Sequence, residues 1–258
     1  MGISYDSQAI LKYFSVQHGI TFPLLADPHS EIIRRYGVLN PRGAGFSKGM
    51  AIPGFFYVGP GGRIREAFFE DNDLARYTAN NVIGKLFPEL ISADERAIPA
   101  LHLKVKLAQS DTRVAPGNRV TLAAIVSLPL GVHVYAPGVK GGYKPIALEL
   151  DPMPEAVLHG ARYPRPRVMF LPVINERVPV FEGRFRITED LTLSHDRRFI
   201  ERVMKGPASG TILTVRGKLS YQACNSKICF MPDTVPVSWK LAVEHLDETR
   251  APEAIRHK

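Results

Sequence analysis

The sequence predicts a two-domain α+β protein in which an α/β half is followed by a β-sandwich. The 258 residues exceed the length of an ordinary single domain. Helical periodicity with capping residues is confined to the first third, whereas from Leu101 onward short apolar runs alternate with Gly, Pro and Asp clusters. We therefore expect domains at 1–90 and 101–245, a linker at 91–100 and a charged tail at 246–258.

Three helices and one β-hairpin are predicted in the first half. The turn Gly59–Gly62 separates two β-prone runs, Gly54–Val58 and Arg63–Phe69, which is the pattern of a hairpin. Capping residues followed by apolar positions on one face indicate the helices. They are expected from Asp6 or Ser7 to Gly19, from about Ser30 to Tyr36, and from Asn72 or Asp73 to Phe87.

The second half reads as strands with a single helix. Its spacing of β-prone runs between turn residues is typical of a sandwich. A helix is expected at Arg197–Met204. The predicted strands are His102–Leu107, Arg119–Leu128, Ala147–Leu150, Gly183–Thr188, Gly210–Tyr221 and Val235–Val243.

Composition narrows the class of protein. Apolar residues make up 45% and charged residues 22% of the chain, as in globular proteins. The net charge of +8 comes from scattered basic residues, and the clusters Arg162–Arg167 and Arg197–Lys205 are interrupted, so no nucleic-acid partner is expected. No apolar run approaches the ~20 residues of a membrane span. The first residues lack a signal-peptide pattern, which favours the cytoplasm by default.

Cys224 and Cys229 are the two cysteines of the sequence, and Asn225-Ser226 between them favours a turn that brings them together. We expect their Cα atoms to lie within about 7 Å. Lys227 would favour a thiolate at one of them. A redox couple and a short structural bridge both fit this spacing, whereas a metal site lacks the further ligands it needs, so neither metal nor cofactor is expected.

The first half resembles the later portion of AhpC/TSA peroxiredoxins, which are thioredoxin-like. The resemblance covers about residues 2–87 and rests on three segments: Gly19–Pro28, Tyr36–Asn40 and Ile52–Val58. It implies a truncated thioredoxin-like domain in which Pro53, by the family pattern, is a candidate for a cis peptide bond. No cysteine precedes Cys224, so the family's peroxidatic cysteine is absent. We expect no peroxidase activity from this half, unless that cysteine lies upstream of Met1 in a longer antioxidant enzyme.

The second half resembles the N-terminal domain of the bacterial DsbD thiol:disulfide interchange protein, which is an immunoglobulin-like sandwich. The match spans about residues 101–243 and is strongest at Tyr221-Gln-Ala-Cys224 and Cys229-Phe-Met-Pro232. In that family the cysteine pair exchanges disulfides with partner proteins, in the periplasm. The resemblance thus implies a redox-active Cys224–Cys229 pair, with Cys224 expected to face the partner.

Two weaker matches complete the expected site. His133-Val-Tyr135 falls where the family places aromatic residues beside the cysteines, with His instead of an aromatic residue at the first position. Asn175–Phe181, with Glu176, resembles a loop that shields the pair. The resemblance implies supporting or capping roles for His133, Tyr135, Glu176 and Phe181.

These observations predict a thiol–disulfide oxidoreductase that acts on a protein partner, in particular one with a thioredoxin fold. Two alternatives stay open. One is a β-sandwich binding or scaffold module whose disulfide is structural. The other is part of a peroxiredoxin-type enzyme. The reduction potential separates the first alternative from redox exchange, because structural disulfides lie below about −300 mV.

Overall fold

The structure, a computed structural model, describes residues 1–70, 74–91, 97–171 and 175–256. These residues contain four α-helices and many more strands, so the predicted mixed α and β composition is confirmed. Contacts divide the chain into two compact units. Unit 1 comprises residues 1–76 and 247–258, and unit 2 comprises residues 77–246.

Unit 1 contains two helices and two small sheets. Strands β1 and β2 pair in parallel, and β3 and β4 form the predicted hairpin. The charged tail contributes one turn of 3₁₀ helix, at Glu253–Ile255. The other elements are β1 (Gly2–Ser4), α1 (Gln8–Gln17), β2 (Leu24–Ala26), α2 (Glu31–Arg35), a 3₁₀ turn (Gly45–Ser47), β3 (Gly54–Val58) and β4 (Ile64–Phe69).

Both predicted helices of unit 1 are confirmed, and different residues cap them. Ser7 caps α1 as predicted, and its hydroxyl accepts a hydrogen bond from the Ile10 amide. At α2 the capping acceptor is the buried Asp27, whose carboxylate accepts from the amides of Glu31 and Ile33. A carboxylate at this position accepts hydrogen bonds from the free N–H groups of the first turn, and its negative charge interacts favourably with the positive end of the helix dipole.

The hairpin β3–β4 pairs with no further strand among the described residues. The Ile52–Pro53 peptide bond, the cis candidate, is trans, and the described residues contain no cis bond. Trans is the lower-energy isomer before proline.

The helix expected to close the first half begins later and packs in unit 2. It is α3 (Ala79–Leu86), capped by Thr78, while the expected caps Asn72 and Asp73 lie outside the described residues. Asn81 of α3 donates to Thr121, and Lys85 forms an ion pair with Asp190. These polar contacts bind α3 to strands of unit 2, which begins at Tyr77.

Unit 2 is built mainly of antiparallel strands. All six predicted strands are present. Their ends shift by at most two residues, except that the strand predicted at Gly183–Thr188 extends to Leu193. Helix α4 has the predicted bounds, Arg197–Met204. The strands are β5 (Arg76–Tyr77), β6 (Lys104–Gln109), β7 (Arg113–Val114), β8 (Asn118–Ser127), β9 (His133–Tyr135), β10 (Ala147–Leu150), β11 (Ala156–Arg162), β12 (Arg167–Leu171), β13 (Glu176–Glu182), β14 (Arg184–Leu193), β15 (Thr211–Tyr221), β16 (Ala223–Cys224) and β17 (Asp233–Val243).

Three sheets organise unit 2. One has the order β11-β14-β8-β5, with β6 also beside β8, and the second has the order β10-β15-β17-β7. Side chains from both share one apolar core, and the indole of Trp239 on β17 donates to the Ala108 carbonyl on β6. The third sheet, of order β12-β13-β9-β16, carries Cys224. It positions the candidate site.

Candidate redox site

Cys224 and Cys229 are joined by a disulfide with their Cα atoms 4.0 Å apart, which confirms the predicted proximity. Asn225 holds the turn between them. Its side-chain oxygen accepts hydrogen bonds from the amides of Lys227 and Ile228, at 2.8 and 2.9 Å. Its own amide donates to the Ile228 carbonyl at 2.9 Å. An Asx turn of this kind folds the chain back locally, so two cysteines only five positions apart can form a disulfide.

Strand pairing places a row of three chemically active side chains across the third sheet. Cys224 on β16 is directly opposite His133 on β9, and His133 is directly opposite Glu182 on β13. Directly opposite residues of antiparallel strands project to the same face. Glu182, His133 and Cys224 therefore lie side by side on one face of the sheet.

The two faces of this sheet have different neighbours. The face of Cys224 carries a small buried cluster with Tyr135, Val178 and Val180. The opposite face belongs to the main core, and Phe181 lies there, stacked on Phe185 with ring centroids 4.6 Å apart. The expectation that Phe181 covers the cysteines is therefore wrong. Side chains alternate along a strand, so Val178 and Val180, and not Phe181, face the disulfide.

The expected shielding loop is largely a strand. Glu176–Glu182 forms β13, which pairs with β9 and β12, and residues 172–174 before it lie outside the described residues. The exposed carboxylate of Glu176 accepts a hydrogen bond of 2.6 Å from the Tyr143 hydroxyl. Glu176 thus accepts a hydrogen bond from a tyrosine, and Tyr143 is a site residue that no sequence motif indicates.

The two sulfurs differ in accessibility. Cys224 is 1% exposed, whereas Cys229, which follows the turn, is an exposed residue. Cys224, the sulfur expected to face the partner, is thus the less accessible of the two. Its backbone pairs with β9 inside the sheet, while the turn carries Cys229 outward. Lys227 is exposed on the same turn.

A tyrosine hydroxyl meets the exposed sulfur. The Tyr135 hydroxyl lies 3.5 Å from Cys229 Sγ, and because a disulfide sulfur carries no hydrogen, the hydroxyl is the donor. The Tyr135 ring packs on that of Tyr143 with centroids 4.5 Å apart. Burial, and then the charge of Glu176, raise the pKa of Tyr135, so its hydroxyl keeps its proton at neutral pH. The hydrogen bond from Tyr143 to Glu176 raises the pKa of Tyr143 to about 12.

His133 is buried on the same face with a 3% exposed fraction. Its Nε2 has no hydrogen-bond partner among the described residues. Its ring meets that of Tyr135 edge-on, at 5.7 Å between centroids. Burial lowers the pKa of His133, and the nearby Glu182 carboxylate opposes this effect only in part. The imidazole is therefore neutral at physiological pH.

The described residues contain no group of His, Cys, Asp or Glu side chains placed to hold a metal ion. Across the same residues, no helix has both the length and the apolar character needed to span a bilayer.

Comparisons with known proteins give a family match to the first 67 residues and a similarity to a solved structure. Residues 1–67 match the model of the AhpC/TSA family, and both cysteines lie outside that segment. No curated protein matches the chain. Among solved structures, the chain is similar to the N-terminal periplasmic domain of ScsB from Proteus mirabilis, with 12% sequence identity and a TM-score of 0.36. That similarity covers 56% of this chain and 47% of the ScsB chain.

Proposed function

We propose that this protein exchanges its Cys224–Cys229 disulfide with a thiol pair of a partner protein, and that Cys229 is the sulfur the partner meets. The observation that carries this proposal is the asymmetry within one disulfide, since Cys229 is exposed and Cys224 is 1% exposed. A bridge that only stabilises a fold needs no accessible sulfur. Exchange requires one, because the attacking thiolate must reach it.

The reaction proceeds in two displacements. A thiolate of the partner attacks Cys229 Sγ, a new S–S bond forms between the proteins, and the Cys224–Cys229 bond breaks with Cys224 leaving as a thiolate. A second partner thiolate then attacks the partner sulfur of the mixed disulfide and releases Cys229. The partner is oxidised by two electrons and this protein is reduced. The reverse sequence oxidises the dithiol.

The surroundings of each sulfur suit these roles. A hydroxyl that donates to Cys229 stabilises negative charge on it when it is released, and Tyr135 has this position. The buried Cys224 is protected from other thiols, so the mixed disulfide forms at Cys229. When the dithiol is oxidised, Cys224 is the sulfur that resolves it. Asn225 keeps the two close, which gives ring closure the advantage of an intramolecular reaction.

The partner class follows from the chemistry and from the chain itself. A partner must present two thiols near an accessible surface, as thioredoxin-fold proteins do, and residues 1–67 match a thioredoxin-like family. We also propose that unit 2 is an immunoglobulin-like sandwich. Its support is the single apolar core shared by two antiparallel-rich sheets.

Single-cysteine variants test the proposal directly. Reduced Cys224→Ser and Cys229→Ser chains are each mixed with glutathione disulfide and with an oxidised thioredoxin, and mixed disulfides are counted by mass spectrometry. Cys224→Ser, which keeps the exposed thiol, is expected to react at least ten times faster than Cys229→Ser. Equal rates, or a faster Cys229→Ser chain, would contradict the assignment of Cys229.

A second candidate function is a binding or scaffold module with a structural bridge. The hydrogen-bonded turn at Asn225 favours it, because a preformed turn holds the disulfide closed. The two candidates differ in reduction potential, since structural disulfides lie below about −300 mV.

A further inference from the structure

In the proposed exchange, the buried sulfur of Cys224 must gain and lose a proton away from solvent. When Cys229 is attacked, Cys224 departs as a thiolate into a cluster of Tyr135, Val178 and Val180, where it is 1% exposed. Burial among apolar groups disfavours the charged form of a thiol. Efficient exchange therefore requires a group that gives Cys224 a proton as it leaves and removes that proton when Cys224 attacks.

His133 has the position for this task. It is directly opposite Cys224 on the neighbouring strand and projects to the same face, where directly opposite Cβ atoms lie about 4.5–5.5 Å apart. Its Nε2 is buried and has no hydrogen-bond partner among the described residues in the disulfide form. An orphaned buried nitrogen is destabilising, and reduction of the disulfide supplies a partner, the thiol of Cys224.

We propose that His133 is the proton acceptor and donor for the buried sulfur of Cys224, a role that rests on the exchange proposed above. Glu182 completes the arrangement, because it is directly opposite His133 on the other side and its carboxylate stabilises the imidazolium. Glu182 is itself held by Arg167, at 3.1 Å. The row thus orders a carboxylate, an imidazole and a sulfur across three adjacent strands.

Each step balances. In the mixed disulfide, neutral His133 takes the proton of the Cys224 thiol, and the resulting thiolate attacks Cys229 Sγ. The Cys224–Cys229 bond forms, the partner sulfur leaves as a thiolate with the electron pair, and the imidazolium passes its proton to solvent. In the opposite direction neutral His133 first takes a proton from solvent, and the resulting imidazolium gives that proton to Cys224 as the disulfide opens.

The pH dependence has a definite sign. His133 must be neutral to accept a proton, so ring closure slows as the pH falls through the pKa of His133, which burial lowers. The titratable and charged groups that face His133 are Cys224 on β16, Glu182 on β13 and Tyr135 on its own strand, with Arg167 of β12 beyond Glu182. Tyr135 keeps its proton through this range because burial raises its pKa.

The test uses the full reduced chain and an aromatic disulfide, 5,5′-dithiobis(2-nitrobenzoate), whose released thiolate absorbs visible light. The first release reports attack by Cys229, and the second reports ring closure by Cys224. Three chains are compared over a range of pH: the natural one, His133→Gln and His133→Tyr. Circular dichroism checks that each is folded.

In the natural chain the ring-closure rate is expected to be level above the pKa of His133. In both variants it is expected to be about 100-fold lower at neutral pH, the usual size of a general-base effect, and to rise about tenfold per pH unit. The first release stays unchanged. Ring closure with the same rate and pH profile in a folded variant would overturn the role of His133 while leaving the exchange intact.

A measurement on the unaltered site covers the case in which both variants fail to fold. The pKa of His133, followed by NMR in the Cys229→Ser chain, must equal the midpoint of the ring-closure profile of the natural chain. Midpoints that differ would overturn the proposal. A first release no faster than that of a denatured chain would instead refute the exchange function itself.

Discussion

Removal of one hydroxyl beside the exposed sulfur tests how the site activates Cys229. Tyr135→Phe deletes the hydroxyl that lies 3.5 Å from Cys229 Sγ and keeps the ring that packs on Tyr143. A hydrogen bond to a charged group contributes about 1.5–3 kcal/mol, and the length of this one favours the lower end. About 1.4 kcal/mol corresponds to one pH unit of titration.

The expected result is a shift of about one unit to higher pH in the midpoint of the pH–rate profile for alkylation of reduced Cys229. At neutral pH, about tenfold less thiolate is then present. A more basic thiolate is also more nucleophilic, so each thiolate reacts about threefold faster and part of this loss is offset. The net rate of exchange at neutral pH should therefore fall about threefold in Tyr135→Phe.

Tyr143→Phe is the matched control. Tyr143 belongs to the same aromatic pair, but its hydroxyl donates to the Glu176 carboxylate, at 2.6 Å, whereas the Tyr135 hydroxyl donates to the sulfur. Iodoacetamide alkylation followed by mass spectrometry gives the rate for Cys229 in each chain. A profile of Tyr135→Phe that superimposes on that of the natural chain would refute the reasoning, as would an equal shift in the control.

Four further outcomes are expected. Asp190 is the buried partner of the half-buried Lys85, and Asp190→Asn should destabilise the chain by about 3–5 kcal/mol in urea titrations. The exposed Glu201→Gln should destabilise it by less than about 1 kcal/mol, and equal losses would contradict a network built on a buried carboxylate. Burial acts to raise the pKa of Asp190, but hydrogen bonds from Lys85 and Thr121 outweigh it and lower that pKa. The stability that the carboxylate contributes is therefore complete above about pH 4 and is lost as the pH falls through the lowered pKa. A loss of this stability on raising the pH would contradict the sign. Asn225→Ala should raise the reduction potential of the disulfide by about 30 mV, because hydrogen bonds within the turn stabilise the closed disulfide by about 1.4 kcal/mol. An unchanged potential would show that these hydrogen bonds do not stabilise the disulfide. Finally, residues 1–95 contain no thiol, so this half is expected to show no thiol-dependent peroxidase activity. Peroxide consumption that persists after both cysteines are replaced by serine, with metal excluded, would contradict this.

Local patterns in the sequence predicted much of the fold. The helix Arg197–Met204 and the strands at Thr211–Tyr221 and Asp233–Val243 carry their own periodicity and turn residues, so their bounds were readable. Strands β11 to β13 were not predicted. Their region contains Pro164, Pro166 and Pro179, which argue against strands locally, and pairing with distant strands overrides that preference.

The candidate site was predictable in its cysteines and not in its geometry. Nearness of Cys224 and Cys229 follows from five residues and a turn-forming Asn225. The side to which Phe181 points depends on the register between β13 and β9, which are more than forty residues apart in the chain. Tyr143 lies in a Gly-rich segment without any motif, so only the folded chain brings it to Tyr135.

The reduction potential of the Cys224–Cys229 couple tests the central claim most directly. The chain is equilibrated in buffers of reduced and oxidised glutathione, and the fraction of disulfide is measured by mass after alkylation of the free thiols. Exchange with a protein partner predicts a potential above about −300 mV, within reach of the glutathione pool. A disulfide that stays closed in every buffer, with a potential below about −300 mV, would contradict the account and assign the bridge a structural role.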